Sequence, residues 1–424
     1  MNDVFDVIVI GAGPAGMMAA GRAAELGARV LLLEKNEKPG KKLLITGGGR
    51  CNVTNAELDN RKLVEKYGPK GKALFSAFAR FDVQDTLDFF HRRNVLTKVE
   101  EEKRAFPVSN KSEDIWNVMV EYTRKNNVLL KTHAVVAGFE KKKDRIAGVI
   151  MKDGTLLKAT NYILATGGKS HPETGSTGEG FQWLKNIGHT VIEPDPALVP
   201  LSIREKWVPE LSGISLKGAK ISVMQDGIRH ESRKGKMLFT HFGISGPLVL
   251  NMSKAIGDLL KNGDVTLSLD LFPALDSGAL DREILTIFER HKNKMLKNCL
   301  HELLENRMAQ IVFQVAKLDA EKPLYRFTKE ERALLVKTLK DMRMTVAGLL
   351  GEDKAVVTSG GVDLKEVHFG KMQSKLFQNL FFAGDVLDFD RPSGGFSLQI
   401  CWTTGFIAGE SAAQTQTTAS NDTD

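Results

Sequence analysis

Between Asp6 and Lys35 the chain reads DVIVIGAGPAGMMAAGRAAELGARVLLLEK, and this stretch restricts the fold more than any other. Val7 to Ile10 is a continuous apolar run rich in β-branched residues, suited to a parallel strand buried on both faces. Gly11, Gly13 and Gly16 follow in GxGxxG spacing. The first permits a tight turn, the second lets backbone approach a pyrophosphate, and the third lets a helix pack closely on the strand. Pro14 and Ala15 complete the turn, and the helix N-terminus behind it offers free N–H groups to phosphates. Glu34 ends a second strand about 20 residues on, where a carboxylate accepts from ribose hydroxyls; Lys35 stands beside it. The reading is a dinucleotide-binding βαβ unit in an α/β fold.

FAD and NAD share this fingerprint, and the far end of the chain separates them. Residues Asn379 to Glu410 contain a short apolar strand at Phe381 to Ala383, a terminating Gly384-Asp385, and a Gly394-Gly395 turn before a helical run. An AGD segment followed by a helix aimed at the cofactor is the arrangement of FAD enzymes of the glutathione-reductase type. There Asp385 accepts from a ribityl hydroxyl, and Gly395, Phe396, Ser397, Leu398 and Gln399 line the flavin side.

Five segments then share a pattern: TGGGRCNVTN at 46–55, ATGG at 165–168, TGSTGEG at 174–180, FGISGP at 242–247, and 384–399. In content and order they resemble the BaiN/RdsA family of FAD-dependent oxidoreductases, over nearly the whole chain up to about Ala413. The resemblance implies a Rossmann-like FAD-binding domain of glutathione-reductase type, discontinuous, with an inserted β-rich plus helical domain. It implies non-covalent FAD, with NAD(P)H as a transient electron donor. The activity implied is hydride transfer to an activated C=C bond of an unsaturated carbonyl compound. Alternatives are a flavin-dependent reductase forming dihydrouridine in ribosomal RNA and a non-enzymatic FAD-binding module. The substrate is accordingly a small molecule or ribosomal RNA.

Composition bounds these readings. The 424 residues, 42% hydrophobic and 26% charged, favour two domains of an ordinary globular protein. Cys51, Cys299 and Cys401 lie far apart with no CxxC, which points to a reducing cytoplasm and away from a zinc site or redox dithiol. No metal site is expected. The first strand begins too early for a signal peptide, and Arg22, Glu25 and Arg29 interrupt the apolar stretch after it, so a cytoplasmic, non-membrane protein is expected. The net charge of +7 comes with basic clusters at 61–66, 92–93, 141–143, 229–236 and 291–297; these read as solvated faces or as an electrostatic footprint for RNA. Oligomeric state is not legible.

The domain reading is 1–192 for the first part of the FAD-binding domain, 193–344 for an inserted substrate or cap domain, 345–413 for the second part, and 414–424 for a disordered tail. Within the first part, helical stretches are expected at 74–94 and 112–125 and a β-meander at 131–139, 145–152 and 156–164. Val135, at the close approach of that meander, is the expected backbone donor to adenine.

The remaining candidates cluster at the glycine-rich loop. Lys42, Thr46, Gly47, Gly48, Gly49, Arg50, Cys51 and Asn52 are expected to face the cofactor, three successive glycines exposing their N–H groups. Arg50 is a candidate to neutralise phosphate or reduced flavin. Cys51, beside it, is a candidate catalytic acid whose pKa the arginine would lower. Thr166, Gly167 and Gly168 join the cofactor set, and Thr174 is a candidate hydroxyl toward flavin or substrate. His171 and His241 are candidate proton donors, and Arg391 a candidate anchor for an anionic substrate group.

Overall fold

The computed structural model describes residues 5–351 and 357–414; the tail expected from 414 lies outside the described residues beyond Gln414. The chain divides into two units, residues 1–197 with 355–424, and residues 198–354.

The first unit is built on a parallel sheet. β1 (Phe5–Ile10) is followed by helix α1 (Pro14–Glu25) and β2 (Val30–Leu33). β3 (Leu129–Lys131) extends the sheet beyond β2, and β4 (Ala159–Leu164) lies on the other side of β1, next to strand Leu380–Phe382. Val7 to Val9 and Leu31 to Leu33 are all at most 3% exposed, as expected for strands covered on both faces.

α1 covers one face, together with the C-terminal helix Phe396–Gln414. Small residues set the distance between the two helices: a Cβ on Gly405 would lie 2.5 Å from the Ala15 carbonyl oxygen, and one on Gly409 2.3 Å from that of Ala19.

Two sequence expectations are corrected by chain crossing. The stretch at 131–139 is not one strand: Leu129–Lys131 belongs to the parallel sheet, and Val136–Lys142 starts a separate antiparallel meander with Arg145–Met151 and Leu156–Leu157. The left-handed His133 (φ 52°) marks the departure. Likewise 156–164 breaks at Lys158, where the chain leaves the meander for β4. The stretch at 74–94 is interrupted at Asp82, which caps the helix Val83–His91 by accepting from Asp85 N at 3.1 Å while Asp85 returns a bond to Asp82 N.

The second unit is a closed barrel with helices. Its strands are β5 (Leu201–Ile203), β6 (Ser215–Gln225), β7 (Ile228–Thr240), β8 (Gly243–Ser245), β9 (Thr266–Asp270) and β10 (Met342–Leu349). They close in the order β5, β8, β7, β6, β9, β10. FGISGP belongs to this closure: β8 bridges β5 and β7, and a Cβ on Gly243 would lie 2.1 Å from the Leu201 carbonyl oxygen. Because Thr345 pairs with Thr266 inside the barrel, the return to the first unit falls at 354/355 rather than at 345. Helices Pro247–Leu260, Ser277–Arg290, Asn306–Ala316 and Lys329–Lys340 add to this unit's core, with Met252, Ile284, Val312 and Leu335 fully buried.

Candidate functional site

The site forms where the glycine turn, the ATGG segment and the GD segment meet at the carboxyl ends of the parallel strands, the usual ligand position in such sheets. Gly11 has φ 99°, and a Cβ there would lie 2.5 Å from the Ala165 oxygen; a Cβ on Gly16 would lie 1.8 Å from the Gly11 oxygen. Gly13, at the N-cap of α1, has nothing within 4 Å of such an atom. Two glycines are therefore required by packing, and the third leaves open space before a helix N-terminus whose amides no side chain caps.

Glu34, 8% exposed, braces this turn. Its Oε2 accepts from Ala12 N at 3.0 Å and its Oε1 from Asn36 N and Nδ2 at 2.9 and 2.8 Å. Asn36 Nδ2 also donates to the Thr174 carbonyl at 3.0 Å, so the acid and the 171–175 loop are linked through a residue that sequence reasoning missed. An amide two positions beyond the acid is the signal that marks it. Lys35 turns to Thr177 Oγ1 and Glu179 Oε2, at 2.7 and 2.8 Å. Val135 follows directly on the segment paired with Glu34, and its carbonyl accepts from Lys152 N at 2.8 Å.

On the opposite side, Gly384 (φ 76°) donates its N–H to Thr404 Oγ1 at 2.9 Å, and a Cβ there would lie 2.8 Å from that of Ala15. The two ends of the chain thus meet at this point. The Asp385 carboxylate is held by the fully buried Arg391 guanidinium, so Arg391 positions Asp385 rather than offering an anchor for substrate. Lys42 is close by: Nζ donates to the Ser170 carbonyl at 2.6 Å, and burial pushes its ammonium pKa down against the pull of Asp385. Ser170, like Asn36, carries no motif signal and was not foreseen.

Several glycine-loop candidates are placed differently from expectation. Thr46 to Gly49 form a tight helical turn in which Gly47 and Gly48 are left-handed (φ 59° and 68°), and Thr46 Oγ1 donates to the Leu43 carbonyl at 2.7 Å. Gly48 and Gly49 face open space. Arg50 lies over the Phe106 ring, 4.0 Å from its centroid, and donates to Asn110 Oδ1 at 2.7 and 3.0 Å and to Glu100 Oε1 at 2.5 Å; its charge is already matched by a carboxylate. Cys51 is fully buried, and burial pushes its thiol up to about 12. Desolvation rather than Arg50 governs the thiol, so Cys51 is protonated and a weak acid here.

Gln399 is likewise turned inward. Its Oε1 accepts from Thr54 Oγ1 at 2.6 Å, and its Nε2 donates to Thr86 Oγ1, Thr403 Oγ1 and the Asp82 carbonyl at 2.9–3.1 Å. Its NH2 group is fully engaged within the protein. Phe396 packs edge-on to Tyr67, whose hydroxyl donates to the Phe396 carbonyl at 3.0 Å, and Leu398 is buried; Ser397 is half-buried. A Cβ on Gly395 would lie 2.3 Å from the Thr54 carbonyl carbon. Thr174 Oγ1 donates to the His171 carbonyl at 2.7 Å, within its own loop. His171 Nδ1 meets Glu173 Oε1 at 2.9 Å, and His241 lies exposed against the Phe242 ring.

Among the predicted cofactor-binding residues two polar atoms are buried with no protein partner, Asn52 Oδ1 and Thr166 Oγ1. A Cβ on Gly180 would lie 2.2 Å from the Thr166 oxygen, so glycine is required there to admit the hydroxyl. Gly167 is left-handed (φ 77°) near Ser176 Oγ, and Gly168 follows it. Unmet hydrogen-bonding capacity in a native interior calls for a partner. With the open space at Gly13 and the acids Glu34 and Asp385, the residues present fit a dinucleotide such as FAD. Among the described residues no group of three His, Cys, Asp or Glu could hold a metal ion, and no helix is long and apolar enough to cross a membrane.

Comparison with known proteins shows the family and the fold. The chain is 29% identical over 406 residues to the ribosomal RNA dihydrouridine synthase of Escherichia coli strain K12, covering 96% of this chain and 97% of that one. It is 27% identical over 409 residues to the 3-dehydro-bile acid delta(4,6)-reductase of Clostridium scindens, covering 96% and 98%. The fold is also that of the 3-ketosteroid-delta4-(5alpha)-dehydrogenase of Rhodococcus jostii RHA1, at TM-score 0.54 and 16% identity over 97% of both chains. Residues 5–411 match the HI0933-like protein Rossmann domain, and the chain belongs to that family.

Proposed function

We propose that this FAD-dependent oxidoreductase takes hydride from NAD(P)H and delivers it to a carbon–carbon double bond conjugated with a carbonyl. The observation that supports a bound cofactor is the orphaned Thr166 Oγ1, next to the Ala165 against which Gly11 packs, with Asn52 Oδ1 of the glycine-rich loop orphaned as well. FAD, when bound, supplies the hydride chemistry; the protein supplies position and electrostatics. In this reading α1 presents its N-terminal amides to the pyrophosphate and Glu34 accepts from a ribose hydroxyl through lone pairs that Ala12 and Asn36 leave over. Asp385, held by Arg391, accepts from the ribityl chain.

The relatives support the choice of bond. One is named for making dihydrouridine, which is uridine saturated at its carbonyl-conjugated double bond, and another for reducing a steroid double bond. Anaerobic stopped-flow absorbance tests the reading: NADH or NADPH should bleach the oxidised flavin band, and an unsaturated carbonyl substrate should restore it. No bleaching by either nicotinamide would overturn the assignment of donor.

A narrower reading takes ribosomal RNA as the substrate, and the net charge of +7 favours it, since nonspecific RNA affinity rests on phosphate neutralisation. Mass analysis of ribosomal RNA from a deletion strain should show loss of dihydrouridine; unchanged dihydrouridine would sink this reading.

A further inference from the structure

We propose that the β6–β7 hairpin of the second unit is the surface that binds the RNA backbone, an inference that rests on the ribosomal RNA reading above. Residues 215–240 contain six Lys or Arg side chains against two acids, a net +4 on 26 residues of a chain whose total is +7. The strand register places the cations. Lys220 lies directly opposite Lys234 and Met224 opposite Arg229, with Ser222 opposite Ser232 between them. By strand alternation Lys236 shares the face of Lys234, so Lys220, Arg229, Lys234 and Lys236 line one side. The hairpin's acids lie elsewhere: Glu231 is opposite Val223 on the other face, where Arg233 meets it, and Asp226 is in the turn.

Two features call for an anionic ligand. Like charges directly opposite each other across a strand pair are destabilising, yet Lys220 and Lys234 stand in that relation. Asp270, the neighbour of Lys220 on β9, is engaged by Lys340 at 2.8 Å. Arg229 and Lys234 are exposed, and Lys220 and Lys236 half-exposed. Furthermore, β7 pairs with β8 only at Leu238 to Thr240, so among the described residues Ile228 to Met237 pairs with no strand but β6 and leaves an edge without a strand partner, flanked by the helix Pro247–Leu260 at Gly235 and Arg233. A phosphate backbone running along this ribbon would relieve the like-charge pair and meet four cations in sequence.

The test is fluorescence anisotropy of the FAD-loaded full chain with fluorescein-labelled, mildly hydrolysed Escherichia coli ribosomal RNA over a series of KCl concentrations. The test variant is K220Q/R229Q/K234Q/K236Q. A control, K142Q/K143Q/K152Q/K158Q, removes the same charge from the first unit's meander. The test variant is expected to lower the slope of log affinity against log salt by about 3 and to weaken binding at least tenfold, near 0.7 per lost phosphate contact on single strands. The control should change little, and nicotinamide bleaching of the flavin should be unchanged in both. If wild type binds RNA and the test variant binds equally well, or both variants weaken alike, the hairpin assignment is overturned while the RNA reading stands. Self-association of the test variant with unaltered RNA affinity would assign the charges to protecting that edge instead. Absence of RNA binding by wild type would overturn both readings.

Discussion

The guanidinium of Arg391, with no exposed side-chain surface, is paired with the carboxylate of Asp385, six residues earlier in the chain. The pair sits at the tip of the strand–turn that carries Gly384, so a charge placed for the site also has a structural debt. Removing one member of a buried pair costs about 3–5 kcal/mol, whereas replacing both by apolar groups is often near neutral. Asp385→Ala should therefore destabilise the flavin-free protein by about that amount, and adding Arg391→Met should recover most of it. Urea unfolding of wild type, single and double variants checks this; a double variant as unstable as the single one would show that the ion pair is not the source of the cost.

The glycines of the first turn should separate by role. Gly16→Ala forces a Cβ to 1.8 Å from the Gly11 oxygen, a backbone atom that has nowhere to move, so this variant should fail to accumulate as folded protein. Gly13→Val meets nothing within 4 Å at its Cβ and keeps an ordinary backbone (φ −75°), so it should fold within about 1 kcal/mol of wild type, the usual scale for losing a good N-cap residue. Yet it fills the space assigned to the pyrophosphate. The flavin-to-protein absorbance ratio after purification should collapse for Gly13→Val while its melting temperature in flavin-free form stays near wild type.

How much of this was readable in advance divides along the range of the interactions. The β1–α1–β2 unit is legible because its strand runs, glycine spacing and terminal acid act on neighbours within 30 residues. The helix Ser112–Lys125 was placed correctly for the same reason: its amphipathic period is local. Side-chain direction in the outer motifs is not legible, because it is decided at long range. Gln399 belongs to a cofactor motif by position, but its carbonyl oxygen is claimed by Thr54, 345 residues away. Arg50 is drawn off by Glu100 and Asn110, 50 and 60 residues away, whose proximity no spacing reveals. A mixed stretch such as 156–164, apolar at both ends, also cannot show that its two halves enter different sheets, so the break at Lys158 leaves no mark in the sequence.

Cys51 should prove dispensable for turnover. Its thiol is fully buried and held up to about 12 by desolvation, so almost no thiolate exists near neutral pH. Cys51→Ala should keep kcat within about twofold while losing on the order of 1–2 kcal/mol of stability, the scale of removing a small buried side chain. The native thiol should resist iodoacetamide at pH 8 until the protein is unfolded. Rapid alkylation of native protein, or a hundredfold loss of kcat in Cys51→Ala, would reinstate a chemical role.

His189 sets a pH limit on the first unit. Its ring is fully buried between Glu366 Oε2, 2.6 Å from Nδ1, and Ser374 Oγ, 2.9 Å from Nε2, with Phe377 and Phe382 against its faces. Burial pushes its pKa below the ordinary histidine value, more strongly than Glu366 pulls it up. The sign follows from linkage: below about pH 6.5 the unfolded chain binds a proton at this site that the folded protein binds less readily. Stability from the neutral ring is therefore full above that pH and is lost as pH falls toward the lowered folded value, with a slope of at most about 1.4 kcal/mol per pH unit from this one group. Melting temperatures between pH 8 and pH 5 should decline for wild type, and His189→Gln, less stable at pH 8, should decline less steeply. Parallel declines in the two proteins would place the acid sensitivity elsewhere in the chain.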